Sequence, residues 1–410
     1  MSLITFHEAR KILAETAKPL SPIGLKYSDA LGLRLAEDIK ADIETPFNDV
    51  SAMDGYAVRA DDIQSGRPLK VAFETSAGDS PGILPLGQTS RIFTGAAIPS
   101  GADSVVMQEY SVPQEDGTVI LDPVKHGANL RQRGEIIQKG QVLAKAGDIV
   151  TPARIAAFAS GGAVNVKVHP KPDITLISTG SELISANEDP KPGQVRNSNK
   201  PMLKSLAIRE GLDIVSISHS SDKFDELRDV LGNAFQSAEL IVTTGGVSVG
   251  DYDFIPDVLK KIGADIIFHK VLQKPGKPIL AARYKSKWFI GLPGNPVSTF
   301  VGWRLYVLPL IAILSGYKDA FETDNFKVRL SSPVANKGKR SLFLPANLYL
   351  TDNKLAAEAV PWKGSHDIIA SASSNALINL NIGASYSEGD MISCYPYAWQ
   401  GLLDIFEHHQ

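Results

Sequence analysis

The spacing of apolar residues changes along the chain and separates it into regions. Near the N-terminus, apolar positions recur at helical spacing over residues 6–13, behind a capping-box pair formed by Thr5 and Glu8. Between residues 40 and 145, short β-type runs alternate with glycine and proline. This pattern predicts a small, mostly β region. A short helix is predicted after it, at 153–160.

Strands and helices alternate from residue 173 onward. Apolar runs of strand length are separated by segments whose apolar residues recur at helical spacing. The predicted strands are 173–178, 213–218, 239–244, 264–271 and 288–291. The predicted helices are 199–210, 224–234, 255–262 and 296–314. This alternation is typical of a parallel sheet covered on both faces, and the β-type runs between 320 and 410 predict a small C-terminal β domain.

Composition narrows the class of protein. The chain has 410 residues and a formal net charge of -3, so bulk nucleic-acid binding is not expected. Its single cysteine, Cys394, excludes an intrachain disulfide and a multi-cysteine metal site. The start lacks a signal-peptide core, and the most apolar tract, Val301–Leu314, contains Arg304 and is too short to cross a bilayer. We therefore predict a reduced, cytoplasmic protein without nucleic-acid or membrane partners.

Ligands of an open parallel sheet bind beyond the carboxyl ends of its strands, and four loops with unusual chemistry fall there. The first contains Gly180 and Glu182, directly after a predicted strand. A carboxylate at this position predicts a metal ligand or a hydrogen-bond acceptor. The alternative is an acid in the first turn of a helix, where the helix dipole favours it.

The second loop, residues 243–250, is rich in glycine. Glycine allows positive φ and a close approach of backbone N–H groups to a phosphate, whereas the alternative is simply a tight turn. No Lys–Ser/Thr pair closes the loop, so it is not a P-loop. Its candidate ligand-binding residues are Gly245, Gly246, Ser248 and Gly250.

Two acids, Asp251 and Asp253, follow the glycine-rich loop. Paired carboxylates beside a phosphate site suit Mg²⁺, which prefers oxygen ligands. Asp253 is therefore a candidate metal ligand, together with Glu182. The alternative for Asp253 is a plain N-cap of the helix predicted at 255–262.

The third loop carries the lysines Lys270, Lys274 and Lys277, and two prolines stiffen it. Ammonium groups held in place can bind a multivalent oxyanion and stabilise a phosphoryl leaving group. The alternative is a solvated basic turn, the usual surroundings of lysine.

The fourth loop ends a strand and begins a helix. Its residues are Pro293, Gly294, Asn295 and Pro296. Asn295 has the character of an N-cap and Pro296 that of the first helical residue. A helix start at the carboxyl end of a strand is a candidate anion site, and a purely structural cap is the alternative.

Two motifs lie outside the α/β region. Asp54 precedes a glycine, and Arg131 and Arg133 stand beside Glu135. Spacing alone does not attach them to the α/β site. Cys394 lies in a β-type run and is predicted to be buried rather than reactive. The residues by themselves predict a soluble multidomain enzyme that acts on an anionic, phosphorylated ligand with a divalent cation.

Six motifs stand in the order seen in the molybdopterin molybdenumtransferases, the MoeA family, which includes the gephyrin E domain. The motifs are SAMDGYAVR (51–59), TGAAIPSGADSVVMQE (94–109), STGSEL (178–183), TTGGVSVGDYD (243–253), KPGKP (274–278) and GLPGNPVS (291–298). The chain resembles this family over nearly its whole length.

The resemblance implies a multidomain fold that combines a parallel α/β sheet domain of the molybdopterin-binding type with two β domains. The implied parts are an N-terminal helix that packs with the α/β domain (1–20), a connecting domain (21–40 and 142–170), a mostly β insertion domain (41–141), the α/β domain (171–319) and a small C-terminal β-barrel domain (320–410). The subunits are expected to form a homodimer, with each active site lying between the α/β domain of one subunit and the insertion domain of the other.

The resemblance also implies a reaction and its participants. Adenylylated molybdopterin and molybdate are the expected substrates, AMP and molybdenum-bearing molybdopterin the products, and Mg²⁺ the required cation. Handover from a molybdopterin adenylyltransferase is an expected partnership. The implied catalytic residues are Asp54, Glu182, Asp253, Lys270, Lys274 and Lys277. The implied binding residues are Thr94, Glu135, Gly180, Asp222, Gly245, Gly246, Ser248, Gly250, Pro293, Gly294, Asn295, Pro296 and Ser365, the last of which helps to hold molybdate.

The chain departs from the family pattern at Ile136, Ser181 and Pro345, where the family commonly has two acids and an arginine. The loss of that arginine bears on how molybdate is held, and Arg340 or Lys339 could replace it. Two alternatives to the enzyme remain: a binding scaffold that has lost the chemistry, as when gephyrin-like proteins anchor receptors, and an unrelated nucleotide hydrolase. The acid and lysine set argues against the first, and the motifs between 51 and 109 argue against the second.

Overall fold

A computed structural model describes residues 3–64, 66–247, 253–351 and 354–397. The chain forms two compact units, one from residues 23–168 and the other from 1–22 together with 169–410.

The unit from residues 23–168 is built mainly from β-strands. Its largest sheet has the spatial order Ser104–Met107, Gly55–Val58, Gln88–Ile92, Leu69–Thr75, Thr118–Leu121 and Ser111–Pro113. A three-stranded sheet contains Ile23–Lys26, Asn165–His169 and Arg34–Leu35, and two small pairs join Leu130–Arg131 to Val50–Ser51 and Val142–Ala144 to Ile39–Lys40. The helix Pro152–Ser160 starts at Thr151, whose hydroxyl accepts from the backbone N–H of Arg154.

The second unit contains a six-stranded α/β sheet. Its spatial order is Ile214–Ser220, Ile174–Thr179, Leu240–Thr244, Lys287–Leu292, Leu280–Tyr284 and Asp265–His269. The first four strands are parallel. The helices of this unit are Phe6–Thr16, Asn199–Arg209, Phe224–Ser237, Ile255–Lys261, Pro296–Gly302, Leu308–Leu314, Ala320–Thr323 and Ile368–Ala372. The predicted fold class is confirmed.

The last two strands of the sheet run antiparallel to their neighbours, and the sequence analysis did not predict Leu280–Tyr284. Tyr284 pairs with Lys287, so only Lys285 and Ser286 form the turn. A two-residue connection can join antiparallel strands only, because a parallel crossover needs a dozen or more residues. This turn contains no glycine, so it lacks the residue that usually indicates a two-residue hairpin turn in a sequence.

The helical segment Pro296–Leu314 passes through the core of this unit. It includes a π-helical stretch, Trp303–Val307. In the described part of the chain, it is the one helix long and apolar enough to cross a membrane, and it is five residues longer than the tract Val301–Leu314 that the sequence analysis considered. However, 83% of its apolar window is buried, as in the core helix of a soluble fold.

A small barrel ends the described chain. Its strands are Phe326–Leu330, Ser341–Thr351, Lys354–Ala359, Ala376–Leu380 and Met391–Pro396, and their pairings close on themselves. The short strand Gln273–Lys274, which belongs to the α/β part of the sequence, pairs with the start of Ser341–Thr351. Cys394 is buried in the barrel, as predicted, and burial raises its pKa to about 12.

Candidate active site

A cavity of about 660 Å³ opens at the carboxyl ends of the parallel strands. It lies where the sequence analysis placed the ligand, since open α/β sheets bind ligands at this edge. The predicted residues that line it are Gly180, Glu182, Asp222, Gly245, Gly246, Asp253, Pro293, Gly294, Asn295 and Pro296. Three of the four candidate loops therefore line one cavity with their predicted residues, and the fourth reaches it through Pro278.

The first loop brings two acids together. The backbone N–H of Ser181 donates to the Asp222 carboxylate at 3.1 Å. Gly180 has φ +138°, and a Cβ there would lie 2.7 Å from the Glu182 carboxylate, so this acid folds back against the glycine. No helix begins at Glu182. The chain instead enters the short strand Leu183–Ile184, which rules out the first-turn alternative.

The glycine-rich turn passes close to the end of the strand Ile174–Thr179. Gly245 has φ +93°, and a Cβ at this position would meet the Thr179 hydroxyl at 2.6 Å and its carbonyl oxygen at 2.7 Å. Only glycine fits this approach. The predicted ligand residues Ser248 and Gly250, and the acid Asp251, lie outside the described residues.

A buried polar network holds the turn that ends the fourth strand. The Asn199 amide nitrogen donates to the Gly294 carbonyl oxygen at 2.7 Å and to the Thr244 hydroxyl at 2.8 Å. The Thr299 hydroxyl donates to the Pro293 carbonyl oxygen at 2.6 Å. These contacts fix the turn between the strand Lys287–Leu292 and the helix that starts at Pro296.

Asn295 is the N-cap residue of that helix, but its side chain makes no capping hydrogen bond. Its amide nitrogen donates instead to the Ser365 hydroxyl at 3.0 Å. Ser365 lies in a loop of the barrel domain, next to His366, which lines the cavity. The barrel domain thus contributes His366 to the lining of the cavity.

The lysine loop borders the cavity, although none of its three lysines is among the described residues that line it. Among the described residues that line it, Pro278 is the one contributed by this loop. Lys274 and Lys277 are exposed, and the Lys274 ammonium lies 5.5 Å from the centre of the Trp362 ring. Lys270 adopts φ +73°, so the chain turns sharply where the loop begins. Arg340 is adjacent, since its guanidinium donates to the Gln273 carbonyl oxygen at 3.4 Å.

His269 connects the lysine loop with the start of the glycine-rich segment. Its Nε2 lies 2.7 Å from the Val247 carbonyl oxygen. Burial lowers the pKa of His269, with the nearby Lys270 charge adding to the effect, so the neutral ring is favoured. A neutral ring that donates from Nε2 satisfies the Val247 carbonyl without adding charge to the site.

Asp54, Thr94 and Glu135 belong to the other unit. Asp54 accepts from both the backbone N–H and the hydroxyl of Thr94, each at 2.7 Å. These two bonds, and the more distant Arg91 charge, lower the pKa of Asp54. Glu135 accepts from the backbone N–H of Gln132 at 2.8 Å. Asp54 and Thr94 therefore form one hydrogen-bonded pair, as a positioned carboxylate would require.

The described residues provide carboxylates near one another but no complete set of metal ligands. Glu182, Asp222 and Asp253 line the same cavity, but no three acidic, histidine or cysteine side chains within the described ranges converge as a metal site requires. The helix after Asp253 starts at Ile255 with Phe254 as its N-cap, so capping does not account for Asp253. Mg²⁺ is commonly held by one or two carboxylates together with substrate phosphates, and this donor set fits that mode.

Sequence reasoning missed several polar residues that line the cavity. They are Arg196, Asn197, Ser198, Asn199 and His366. The run from 196 to 199 precedes a helix and therefore resembled an ordinary cap. Its one signal was two asparagines separated by a single residue, directly before apolar helical spacing.

Three family models match the chain. The MoeA N-terminal region (domain I and II) covers residues 4–162, the probable molybdopterin binding domain covers 175–312, and the MoeA C-terminal region (domain IV) covers 327–397. The cavity is built mainly from the second of these regions, and the barrel corresponds to the third.

Relatives and solved structures agree with these matches. A molybdopterin molybdenumtransferase of Staphylococcus epidermidis is 34% identical over 95% of this chain and 94% of its own length. One of Staphylococcus aureus is 33% identical over 93% and 92%. The crystal structure of a molybdopterin biosynthesis MoeA protein from Pyrococcus horikoshii superposes with a TM-score of 0.81 at 26% identity, covering 97% of this chain and all of that one.

Proposed function

We propose that this chain, which belongs to the molybdopterin molybdenumtransferase family, inserts molybdate into adenylylated molybdopterin and releases AMP. Its membership makes it a transferase of molybdenum cofactor biosynthesis. The cavity supports the more specific proposal that the substrate is adenylylated and that AMP is released. The cavity combines a glycine turn, a helix start and three carboxylates at one edge of the sheet.

The cavity suits a ligand that carries phosphate and polar groups. Gly245 and Gly246 allow a phosphate to approach the backbone, and the helix that starts at Pro296 places its positive end on the same side. Both features recognise negative charge without adding a mobile side chain, so they hold the phosphate in one orientation.

Carboxylates in the same cavity supply the cation site. Glu182 and Asp253 would hold Mg²⁺, which would neutralise phosphate charge when bound. Asp222 is held in place by the Ser181 backbone N–H, so its oxygens face a defined direction. We assign Asp222 to orienting the ligand rather than to the metal.

Molybdate is assigned to the lysine loop. It is a dianion without apolar surface, so its binding depends on charge-assisted hydrogen bonds. Lys274 and Lys277 are exposed, and the Arg340 guanidinium donates to the Gln273 carbonyl oxygen beside them. The family resemblance implies an arginine at the position of Pro345, and we propose that Arg340 supplies this charge. Pro345 itself lies inside a barrel strand, paired with Leu377.

AMP release tests this proposal directly. The purified full chain is incubated with adenylylated molybdopterin and Mg²⁺, with and without molybdate, and AMP and protein-bound molybdenum are measured. We expect molybdate-dependent release of AMP. Asp222→Asn should slow it by roughly tenfold or more, since a positioned carboxylate is lost. Asp225→Asn, an exposed acid on a nearby helix, is the matched control. A chain that binds the substrate but releases no AMP would instead be a binding scaffold.

Assembly and location form part of the same proposal. We expect a homodimer, a cytoplasmic location and delivery of the substrate by a molybdopterin adenylyltransferase. The support is the resemblance of the insertion-domain motifs around Asp54 and Thr94 to those of the family.

A further inference from the structure

The lysine loop is attached to the hydrophobic core by one buried side chain, that of Gln273. This residue is fully buried although it directly precedes the exposed Lys274. Its amide nitrogen donates to the Pro275 carbonyl oxygen at 2.9 Å, and its amide oxygen accepts from the Tyr306 hydroxyl. Gln273 therefore joins the loop on one side to a core helix on the other.

The direction of each hydrogen bond follows from the chemistry of the partners. The Pro275 carbonyl oxygen can only accept, so the amide nitrogen of Gln273 must face it. The amide oxygen then faces Tyr306, whose hydroxyl donates. Burial raises the pKa of Tyr306 far above its ordinary value, so the phenol remains a neutral donor. The network has a single arrangement.

The shape of the loop accommodates the hydrogen bond from the Gln273 amide to the Pro275 carbonyl, which we call the clamp. Gly276 has φ +92°, and a Cβ at this position would lie 2.8 Å from the Gln273 amide nitrogen. The backbone N–H of Val271 donates to the Lys277 carbonyl oxygen at 2.8 Å, which closes the loop around the same amide. Pro275, whose carbonyl is clamped, lies between Lys274 and Lys277.

Tyr306 also connects the loop to the other side of the site. It lies in the π-helical stretch of the helical segment that begins at Pro296, and that segment starts at the turn lining the cavity. One rigid element thus carries the turn at its first residue and the anchor of the lysine loop further along.

We propose that Tyr306 and Gln273 are positioning residues that hold Lys274 and Lys277 in the geometry that binds the oxyanion substrate. Neither touches the substrate, and both act through the Pro275 carbonyl. Bidentate or multidentate binding of a small anion requires ammonium groups at fixed separations, and a shift of about 1 Å is enough to weaken it strongly. This inference rests on the proposed assignment of molybdate to the lysine loop.

Two variants separate positioning from stability. Tyr306→Phe leaves the Gln273 amide oxygen buried without a partner, so both the melting temperature and the molybdate affinity should fall. Combining it with Gln273→Met replaces both partners of that bond by apolar groups of similar shape, which removes the unpaired amide oxygen but leaves the buried Pro275 carbonyl without this donor. The Pro275 carbonyl still lacks its clamp, so molybdate affinity should stay roughly five- to tenfold weaker.

The measurements are calorimetric titration of the full-length protein with molybdate, thermal melting and hydrogen exchange of the segment 270–279. Tyr397→Phe is the matched control, because its hydroxyl also has a partner, Ser374, but no contact with the loop. Faster exchange of the segment in the double variant is expected, at a melting temperature close to that of Tyr306→Phe alone. Molybdate affinity equal to that of the parent protein in the double variant would overturn the proposal.

A third variant distinguishes this failure from that of the proposed function. Lys277→Ala should weaken molybdate binding if the lysine loop is the anion site. If it does so while the double variant binds normally, the positioning inference is wrong and the site assignment stands. If Lys277→Ala binds molybdate normally, the site assignment itself is wrong, and the hydrogen-exchange result alone decides whether Tyr306 and Gln273 order the loop.

Discussion

Asn295 donates from its side-chain amide to the hydroxyl of Ser365, 3.0 Å away, and so joins the turn at the cavity to the barrel domain. Seventy residues separate the two in sequence. The N-cap position of a helix usually employs its side chain on the helix itself. Here the side chain leaves the helix and fixes a loop that carries a candidate molybdate ligand, which makes the two residues a coupled pair.

This coupling predicts non-additive losses. Asn295→Ala and Ser365→Ala should each lower the rate of AMP release by roughly two- to tenfold, the range expected for one hydrogen bond. The double variant should lose less than the product of the two, because the bond can be removed only once. Ser374→Ala, a barrel serine bonded to Tyr397, is the control. Independent, multiplying effects would show that the bond carries no coupling.

Asp253→Asn should raise the Mg²⁺ concentration needed for half-maximal activity, because a charged oxygen ligand is replaced by a neutral one. Melting temperature should change little, since asparagine has nearly the same shape as aspartate and keeps one side-chain oxygen as an acceptor. The control is Asp257→Asn, an exposed acid in the first turn of the same helix that pairs with Lys260. The same Mg²⁺ dependence in both variants would return Asp253 to a structural role.

Lys277→Ala should weaken molybdate binding by roughly tenfold to a hundredfold, the loss of one charge-assisted hydrogen bond to an anion. The side chain is exposed, so folding should be undisturbed. Lys261→Ala, another exposed lysine at the end of a helix, should bind as the parent protein does. Unchanged affinity together with a lower melting temperature would mean that the loop is structural.

Cys394 should resist thiol reagents in the native state. With a pKa of about 12, roughly one thiol in ten thousand is ionised at pH 8, whereas an unfolded cysteine near 8.5 is substantially ionised. Ellman's reagent should therefore label the protein only after denaturation. Because the folded pKa is raised, the thiol's contribution to stability is complete below about pH 8.5 and decreases as pH rises toward 12. Rapid labelling of native protein would contradict the barrel packing.

Mixing two inactive chains tests the proposed homodimer. Asp54→Ala and Lys274→Ala each remove one candidate residue, and a heterodimer would retain one intact site if each site draws on two subunits. Co-refolded chains should recover up to a quarter of the parent activity, since about half of random dimers are mixed and each has one good site. A fully active monomer in light scattering would rule the arrangement out.

The fold could be predicted where apolar spacing is regular. The helices that start at Phe6 and Phe224 and the central parallel strands follow the predicted pattern closely. The hairpin strand Leu280–Tyr284 could not, because its turn, Lys285–Ser286, carries no glycine or asparagine. The direction of this strand pairing depends on the length of the connecting turn, and local residue propensities do not indicate it.

The candidate site was predictable only for its backbone turns and acids. Glycines and carboxylates directly after strands are visible in one sequence, and the sheet edge brings them together. Asn199 was not visible, because its role depends on Gly294, ninety-five residues away. Gln273 was missed for a similar reason: its partner Tyr306 lies on a distant helix, and nothing in the local sequence marks a buried amide.

The strand Gln273–Lys274 is covalently part of the α/β domain but hydrogen-bonded within the sheet of the barrel. Replacing the barrel alone with that of a relative would remove the strand with which Gln273–Lys274 pairs. Lys274 and Lys277 would then lose the backbone pairing that holds their loop in place. Chimeras between relatives should therefore tolerate a junction only if residues 270–279 travel with the barrel's first long strand. The structural boundary of the barrel therefore includes the strand Gln273–Lys274 and differs from the boundary in sequence, where the chain passes from the α/β domain to the barrel.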